Sequence, residues 1–262
     1  GEAAHAQHSS LLGQADVILA EDTRVTTPLL RHYGIETRPL SLHEHNEAKR
    51  AAAIVELLRA GRSVALVSDA GTPAVSDPGA RLVAAVQDAA LPVVPLPGPN
   101  AAVAAISAAG LEAEQHVFMG FLPSAAKARR EMLARIAALP MAIVVYEAPH
   151  RVLRTIAELA TVLGGDRVIV IAREITKKFE TIARVPLAEA RAWVEADDDR
   201  RRGEFVLVVE GRPVEAKPAV DPRELLQVLL AEMPLKQAVA LAVRITGGKR
   251  NELYQLALEL KK

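Results

Sequence analysis

An α/β chain that ends in a block of helices is what this sequence predicts, on three observations. Short apolar runs recur as far as residue 210: VILA within 15–20, VALV at 64–67, AIVVY at 142–146, VIVIA at 168–172 and FVLVV within 204–210. Runs of that length, rich in Val and Ile, suit strands buried on both faces of a sheet. Stretches with helical spacing alternate with them, the rhythm of a βα-built sheet. Beyond residue 221 the strand-like runs stop and only helical patterns remain.

In order, residues 1–10 are small and polar and carry His5 and His8. They read as a flexible or processed end, since two histidines without a third ligand make a poor metal site. The strand at 15–20 runs into Glu21-Asp22-Thr23-Arg24, a charged cluster that reads either as a site loop or as a helix start capped by Asp22 or Thr23. A short helix at 29–33 ends at Gly34. His43, Glu44 and His45 precede a helix at 47–60. Neighbours so close in sequence rarely converge on one ion, so substrate contact or capping is preferred to metal.

The stretch 64–83, VALVSDAGTPAVSDPGARLV, organises the first half. Its strand breaks into Ser68-Asp69-Ala70-Gly71-Thr72-Pro73, where Gly permits a left-handed turn and Pro fixes φ. In open α/β sheets ligands bind beyond the carboxyl ends of strands, so this loop is a candidate site wall, with a plain surface turn as the alternative. Asp77 and Pro78 suit the N-cap and first position of a helix at 80–90. Residues 93–96 read as a strand ending in the turn Pro97-Gly98-Pro99-Asn100, and a helix of small residues follows at 101–109, closed by Gly110. Small side chains there suit a bound molecule or a tight helix–sheet contact.

A strand at 117–120 and Phe121-Leu122-Pro123 read as a hinge into a second domain. Lys127, Arg129, Arg130 and Arg135 decorate the helix at 125–138, a basic face suited to phosphates or simply to water. The strand at 142–146 ends in Glu147-Ala148-Pro149-His150-Arg151, a helix follows to 163, and the strand at 168–172 ends in Arg173 to Lys178. A helix at 187–195 and the turn 197–202 precede the strand at 204–210. Residues 214–220 read as a linker. Helices starting at Asp221-Pro222, at 235–245 and at 250–260 follow, the last two joined by Thr246-Gly247-Gly248-Lys249, a helix-turn-helix length. Lys236, Arg244, Lys249, Arg250, Lys261 and Lys262 make this end basic, and a helical docking hairpin is the competing reading.

Composition sets limits. Half of the 262 residues are hydrophobic and there is no cysteine, which removes disulfides and thiol catalysis. No run approaches the ~18 apolar residues of a membrane span, and no secretory pattern is present, so a soluble cytoplasmic protein is expected. Lys plus Arg equals Asp plus Glu at 32 each, so RNA contact would come from local basic patches and not from a global field.

The stretches AEDTR, LVSDAGTPAVSDPG, VPLPGPNAAVAAISAAGL, GFLPSAAKARR, YEAPHR, AREITKKFETI and RRGEFVLVVEG, in that order, resemble the 16S ribosomal RNA cytidine 2′-O-methyltransferases, the RsmI family. These belong to the tetrapyrrole-methylase-like class of S-adenosylmethionine enzymes, and the tail PLKQAVALAVRITGGKRNELYQLAL looks like the family's helix-turn-helix-like extension. One departure stands out: the family begins with a strand and a Pro-Ile-Gly-Asn-Leu loop, and residues 1–10 stand in its place.

The resemblance implies two α/β domains of the tetrapyrrole methylase type, at 11–121 and 122–212, with a helical extension at 221–262. It implies S-adenosylmethionine as cofactor, held by Asp69, Gly71, Thr72, Val75, Pro97, Gly98, Ala101 and Ala102 from the first domain. Tyr146, Ala172 and the 204–210 strand would add to it from the second. Glu21, Asp22, Arg24 and Glu147 are the candidate catalytic residues, with Arg24 on phosphate and a carboxylate near the ribose; Lys177 is the nearest lysine to a strand end. No metal is implied. Small-subunit 16S ribosomal RNA is the expected substrate and a homodimer the expected assembly. The rival readings are a tetrapyrrole C-methyltransferase and a noncatalytic ribosome-binding protein.

Overall fold

The computed structural model describes residues 9–43, 45–112, 114–212 and 221–260. These fall into two compact units, Gly1–Arg212 and Pro213–Lys262. His5, His8, Glu44, the expected linker at 214–220, Lys261 and Lys262 lie outside the described residues.

In the first unit a helical stretch at 9–14 (α1) leads to β1 (Val17–Ala20), α2 (Thr23–His32), β2 (Leu40–Ser41), α3 (Glu47–Arg59), β3 (Val64–Val67), α4 (Ala80–Asp88) and α5 (Ala101–Ala109). The three strands form a parallel sheet in the order β2-β1-β3. Successive side chains of β1 point to opposite faces. Leu19 packs under α3 and α4 with Ile54, Val55, Leu82 and Val86, while Ile18 packs on the other face with Leu30 and Ile35. This two-sided burial is why VILA is apolar at every position.

β3 departs from the expectation. All four of its residues are only half-buried, although the run is as apolar as β1. It is an end strand, with β1 on one side and, among the described residues, no strand on the other. Residues 93–96, expected to be a strand, form none, and Val94 is 76% exposed.

The second sheet contains β4 (His116–Phe121), β5 (Ala142–Glu147), β6 (Val168–Arg173), β7 (Thr181–Pro186) and β8 (Phe205–Val209), in the order β4-β5-β8-β6-β7. β4 and β5 run parallel and the remaining pairs are antiparallel. Because β4 bonds to β5, it belongs with the second sheet, and the break between the two sheets falls before His116 instead of after Phe121. One face, with Ile143, Val145, Ile169, Ile171, Leu207 and Val209, is covered by α6 (Ala126–Ile136), α7 (Val152–Leu163) and α8 (Leu187–Glu195). The other, with Val144, Val170, Ala172, Val206 and Val208, is covered by α5. The helix can lie this close because Ala102, Ala105 and Ala109 face the sheet. β7 is absent from the sequence reading; its alternating burial marks a strand with one open face.

The second unit is a bundle of α9 (Pro222–Glu232), α10 (Leu235–Thr246) and α11 (Arg250–Leu260) around Leu226, Val239, Ala242, Leu253 and Ala257. Asp221 caps α9 by accepting from Arg223 N at 2.8 Å, with Pro222 behind it. Gly247 closes α10 in the left-handed region at φ 68°.

Candidate active site

The carboxyl ends of β1 and β3 are joined by one bond: the Asp22 backbone N–H donates to Asp69 Oδ1 at 3.2 Å. Asp22 is also the N-cap of α2, accepting from Arg24 N at 2.8 Å. Of the two readings of the Glu21–Arg24 cluster, the helix start capped by Asp22 is the one seen, and the bond to Asp69 sets that cap beside the loop after β3. The Arg24 guanidinium folds back on Asp22, its Nε 3.0 Å from Oδ1, and this bond holds the Asp22 carboxyl down at about 2. Arg24 is thus a strongly exposed but self-paired cation.

The loop after β3 then crosses to the turn before α5. The Thr72 hydroxyl donates to the Pro99 carbonyl at 3.0 Å, and Gly71 passes beside the same oxygen. Two non-glycine residues in this loop, Ala74 and Ser76, take positive φ of 66° and 67°. Such strain is tolerated where the surroundings over-determine the chain, and it gathers at functional sites. At the turn's end Asn100 caps α5 through Val103 N at 3.1 Å, and Ala102 N donates to the Tyr146 hydroxyl of β5 at 3.2 Å. Burial raises the Tyr146 phenol above its ordinary value, and the Asp77 charge adds to the rise.

Asp77 is not the expected helix cap. α4 starts at Gly79, whose φ of 136° excludes other residues and whose missing Cβ would sit 2.6 Å from Leu66 Cδ2. The cap comes from 32 residues upstream: buried Glu47, through Oε1, accepts from Gly79 N at 3.1 Å, Arg81 N at 2.8 Å and Leu82 N at 3.0 Å. Asp77 is left half-buried on the loop between β3 and α4. Burial, then the negative charges of Glu21 and Asp69, push its carboxyl up to about 6, against a weaker opposing bond with Ser68. A carboxyl raised in this way is suited to taking a proton near neutral pH, and nothing local in the sequence marks it.

Of the expected cofactor-binding residues, Asp69, Gly71, Thr72, Val75, Pro97 and Gly98 lie on the two loops that meet through Thr72 and Pro99, and Ala101 is the first residue of α5. Tyr146 touches the start of α5. Ala102 and Ala172 are buried between α5 and the second sheet.

Three other expectations are corrected. Glu147 is 1% exposed and its oxygens are occupied, by the Thr155 hydroxyl, by Ala148 N at 2.9 Å and by Arg151 at 3.2 Å, so it anchors the scaffold. Lys177 pairs with Glu174 at 2.9 Å and Glu204 at 3.0 Å; the Glu174 bond raises its ammonium further, so it stays charged and is no base. Arg129, expected on a basic face, is 2% exposed. It bonds Glu158 and donates to the Pro123 and Ser124 carbonyls at 2.9 Å, fastening the chain after β4. Lys127, Arg130 and Arg135 on the same helix are exposed. Among the described residues, no three His, Cys, Asp or Glu side chains come together to hold a metal, and no helix is long and apolar enough to cross a membrane.

The sequence matches the Tetrapyrrole (Corrin/Porphyrin) Methylases over residues 9–191 and the RsmI C-terminal HTH domain over 216–261. It is 48% identical over 251 residues to the ribosomal RNA small subunit methyltransferase I of Escherichia coli O157:H7, covering 95% of this chain and 87% of the relative. The Vibrio cholerae protein of the same name is 45% identical, with the same coverage. Among solved structures, the methyltransferase CobJ aligns with a TM-score of 0.55 at 22% identity, over 80% of this chain and 86% of the other. The cobalt precorrin-4 methyltransferase CbiF gives 0.55 at 19% identity, over 77% and 87%. At that identity the likeness is one of fold.

Proposed function

Because the chain belongs to the ribosomal RNA small subunit methyltransferase I family of tetrapyrrole-type methylases, we propose that it methylates small-subunit ribosomal RNA from S-adenosylmethionine, at the ribose 2′-oxygen of a cytidine. The observation that carries the reading is the joining of the β1, β3 and α5 loops through Asp22–Asp69 and Thr72–Pro99, at the carboxyl ends of parallel strands. Ligands bind at that place in open α/β sheets.

The residues present fit the cofactor. Gly71, Gly98 and Ala101 leave the main chain open to close approach, and Glu21, Asp69 and Asp77 suit a cationic molecule. When bound, S-adenosylmethionine supplies an electrophilic methyl on a positively charged sulfur. The protein's task is then to position the hydroxyl and take its proton. Asp77, ionised above about 6, would take the proton of the ribose 2′-hydroxyl at its carboxylate, leaving that oxygen able to accept the methyl that the bound cofactor would supply. Glu21 and Asp69 keep that carboxylate a stronger base than an isolated Asp. Arg24 would turn from Asp22 to a phosphate, a short exchange for an exposed side chain.

Lys127, Arg130 and Arg135 of α6, with Lys249 and Arg250 of the helical unit, are exposed cations suited to ribosomal RNA. The same reading puts the protein in the cytoplasm, as a homodimer.

Transfer of labelled methyl to small ribosomal subunits, compared with naked 16S RNA and a porphyrin precursor, tests it. Labelled cytidine 2′-O-methyl in the subunit RNA is expected; labelled tetrapyrrole with unlabelled RNA would overturn it.

A further inference from the structure

The chain has four Phe, three Tyr and one Trp, and three of these gather at one place. Phe118 and Phe121 of β4 both stand against Tyr146 of β5, edge to face, with ring centroids 4.9 and 5.6 Å away. A regular strand would not allow this. Residues three apart on a strand point to opposite faces. Here the pairing runs Phe118 with Val144 and then Phe121 with Tyr146, three steps on β4 against two on β5. The extra residue is a bulge, and it swings Phe121 to the face that already holds Phe118. Gly120 makes the bulge, at φ 60°.

The two rings are not brought together for burial, because Phe121 is 53% and Phe118 36% exposed. They are firmly backed: Tyr146 is held by Ala102 N at the start of α5. They also adjoin the proposed site, since a Cβ on Gly120 would lie 3.0 Å from Ser76 Oγ, on the loop that carries Asp77. Among the described residues β4 is an end strand, so the rings sit at the edge of the sheet.

We infer that Phe118 and Phe121 form a platform on which a base of the RNA substrate stacks, at or beside the nucleotide that is methylated. The inference rests on the function proposed above and names how its substrate is held. A nucleobase is the planar partner such rings take, whatever its identity. The cofactor's adenine is the other source of that chemistry. The exposure and edge position favour a base that arrives on a polymer over a nucleoside lodged in a closed slot.

The test uses wild-type protein and the variants Phe121→Ala, Phe118→Ala and Phe121→Trp, with melting curves to check folding. Small-subunit binding is measured in the presence of S-adenosylhomocysteine, S-adenosylhomocysteine affinity by calorimetry, and mass by sedimentation. The alanine variants should bind subunits about 10- to 100-fold more weakly. Their S-adenosylhomocysteine affinity and mass should be unchanged, and Phe121→Trp should bind as wild type. Unchanged subunit affinity in the alanine variants would overturn the platform. So would loss of S-adenosylhomocysteine affinity, which assigns the rings to adenine, or conversion of a dimer to monomer, which assigns them to a second copy. A wild-type protein that binds subunits yet labels none of their RNA would overturn the proposed function and leave the stacking result readable.

Discussion

Replacing Glu47 should destabilise the first unit and loosen the candidate site together. One carboxylate oxygen, almost wholly buried, accepts from Gly79, Arg81 and Leu82 N–H groups at 2.8 to 3.1 Å. Alanine would leave those donors facing apolar side chains. A hydrogen bond to a charged group contributes about 1.5–3 kcal/mol, and a negative charge at a helix N-terminus about 0.5–1 kcal/mol. The three bonds share one acceptor and do not add, so Glu47→Ala should cost about 3 kcal/mol. Glu47→Gln keeps an acceptor oxygen and should cost roughly half of that. Urea unfolding followed by circular dichroism gives both numbers, and calorimetry with S-adenosylhomocysteine reports on the loop, whose far end this cap fixes. If Glu47→Ala unfolds within about 1 kcal/mol of wild type, the remote cap is not holding α4 and the reasoning fails.

Two further outcomes can be checked. Asp77 holds its proton more tightly folded than unfolded, with its carboxyl near 6 against an ordinary 3.8, so wild-type stability should decline as pH climbs through that window. Asp77→Asn should match wild type below pH about 4 and melt increasingly above it by pH 7; parallel melting curves would refute this. Arg129→Met removes the buried guanidinium from Glu158, leaving it only the more exposed Arg154, and takes a donor from the Pro123 and Ser124 carbonyls; it should cost about 3 kcal/mol. Arg130→Met on the exposed face should cost under about 0.5 kcal/mol, and equal losses would mean that the buried pair has no special weight.

The strands that could be read directly were those whose neighbours cover both faces: VILA, AIVVY, VIVIA and FVLVV need apolar residues at every step, and that pattern is local. β7 escaped because one face is open and TIARVP alternates over only a few residues before its proline. VALV was read as a strand but not as a half-exposed one, because exposure depends on what lies beside it. The site loops were legible for their Gly, Pro and short polar residues. The roles within them were not. Asp77 has the chemistry of a cap, and only the fold shows Glu47 doing that work from another helix. Glu147, read as a candidate catalytic carboxylate, and Arg129, read as part of a basic face, are instead covered by Thr155 and Glu158, brought in by α7. A bulge that turns Phe121 by half a pleat leaves no trace except a glycine.

α5 follows the loops of the first sheet in the chain but is seated on the second. The turn 97–100 leading into it therefore rides with the five-stranded sheet, while the loop 68–79 rides with the three-stranded one. Any breathing that separates the two sheets must pull Thr72 from Pro99. The Thr72 hydroxyl therefore ties a loop of one sheet to a turn seated on the other, a contact that small relative movement could exchange for water without unfolding either.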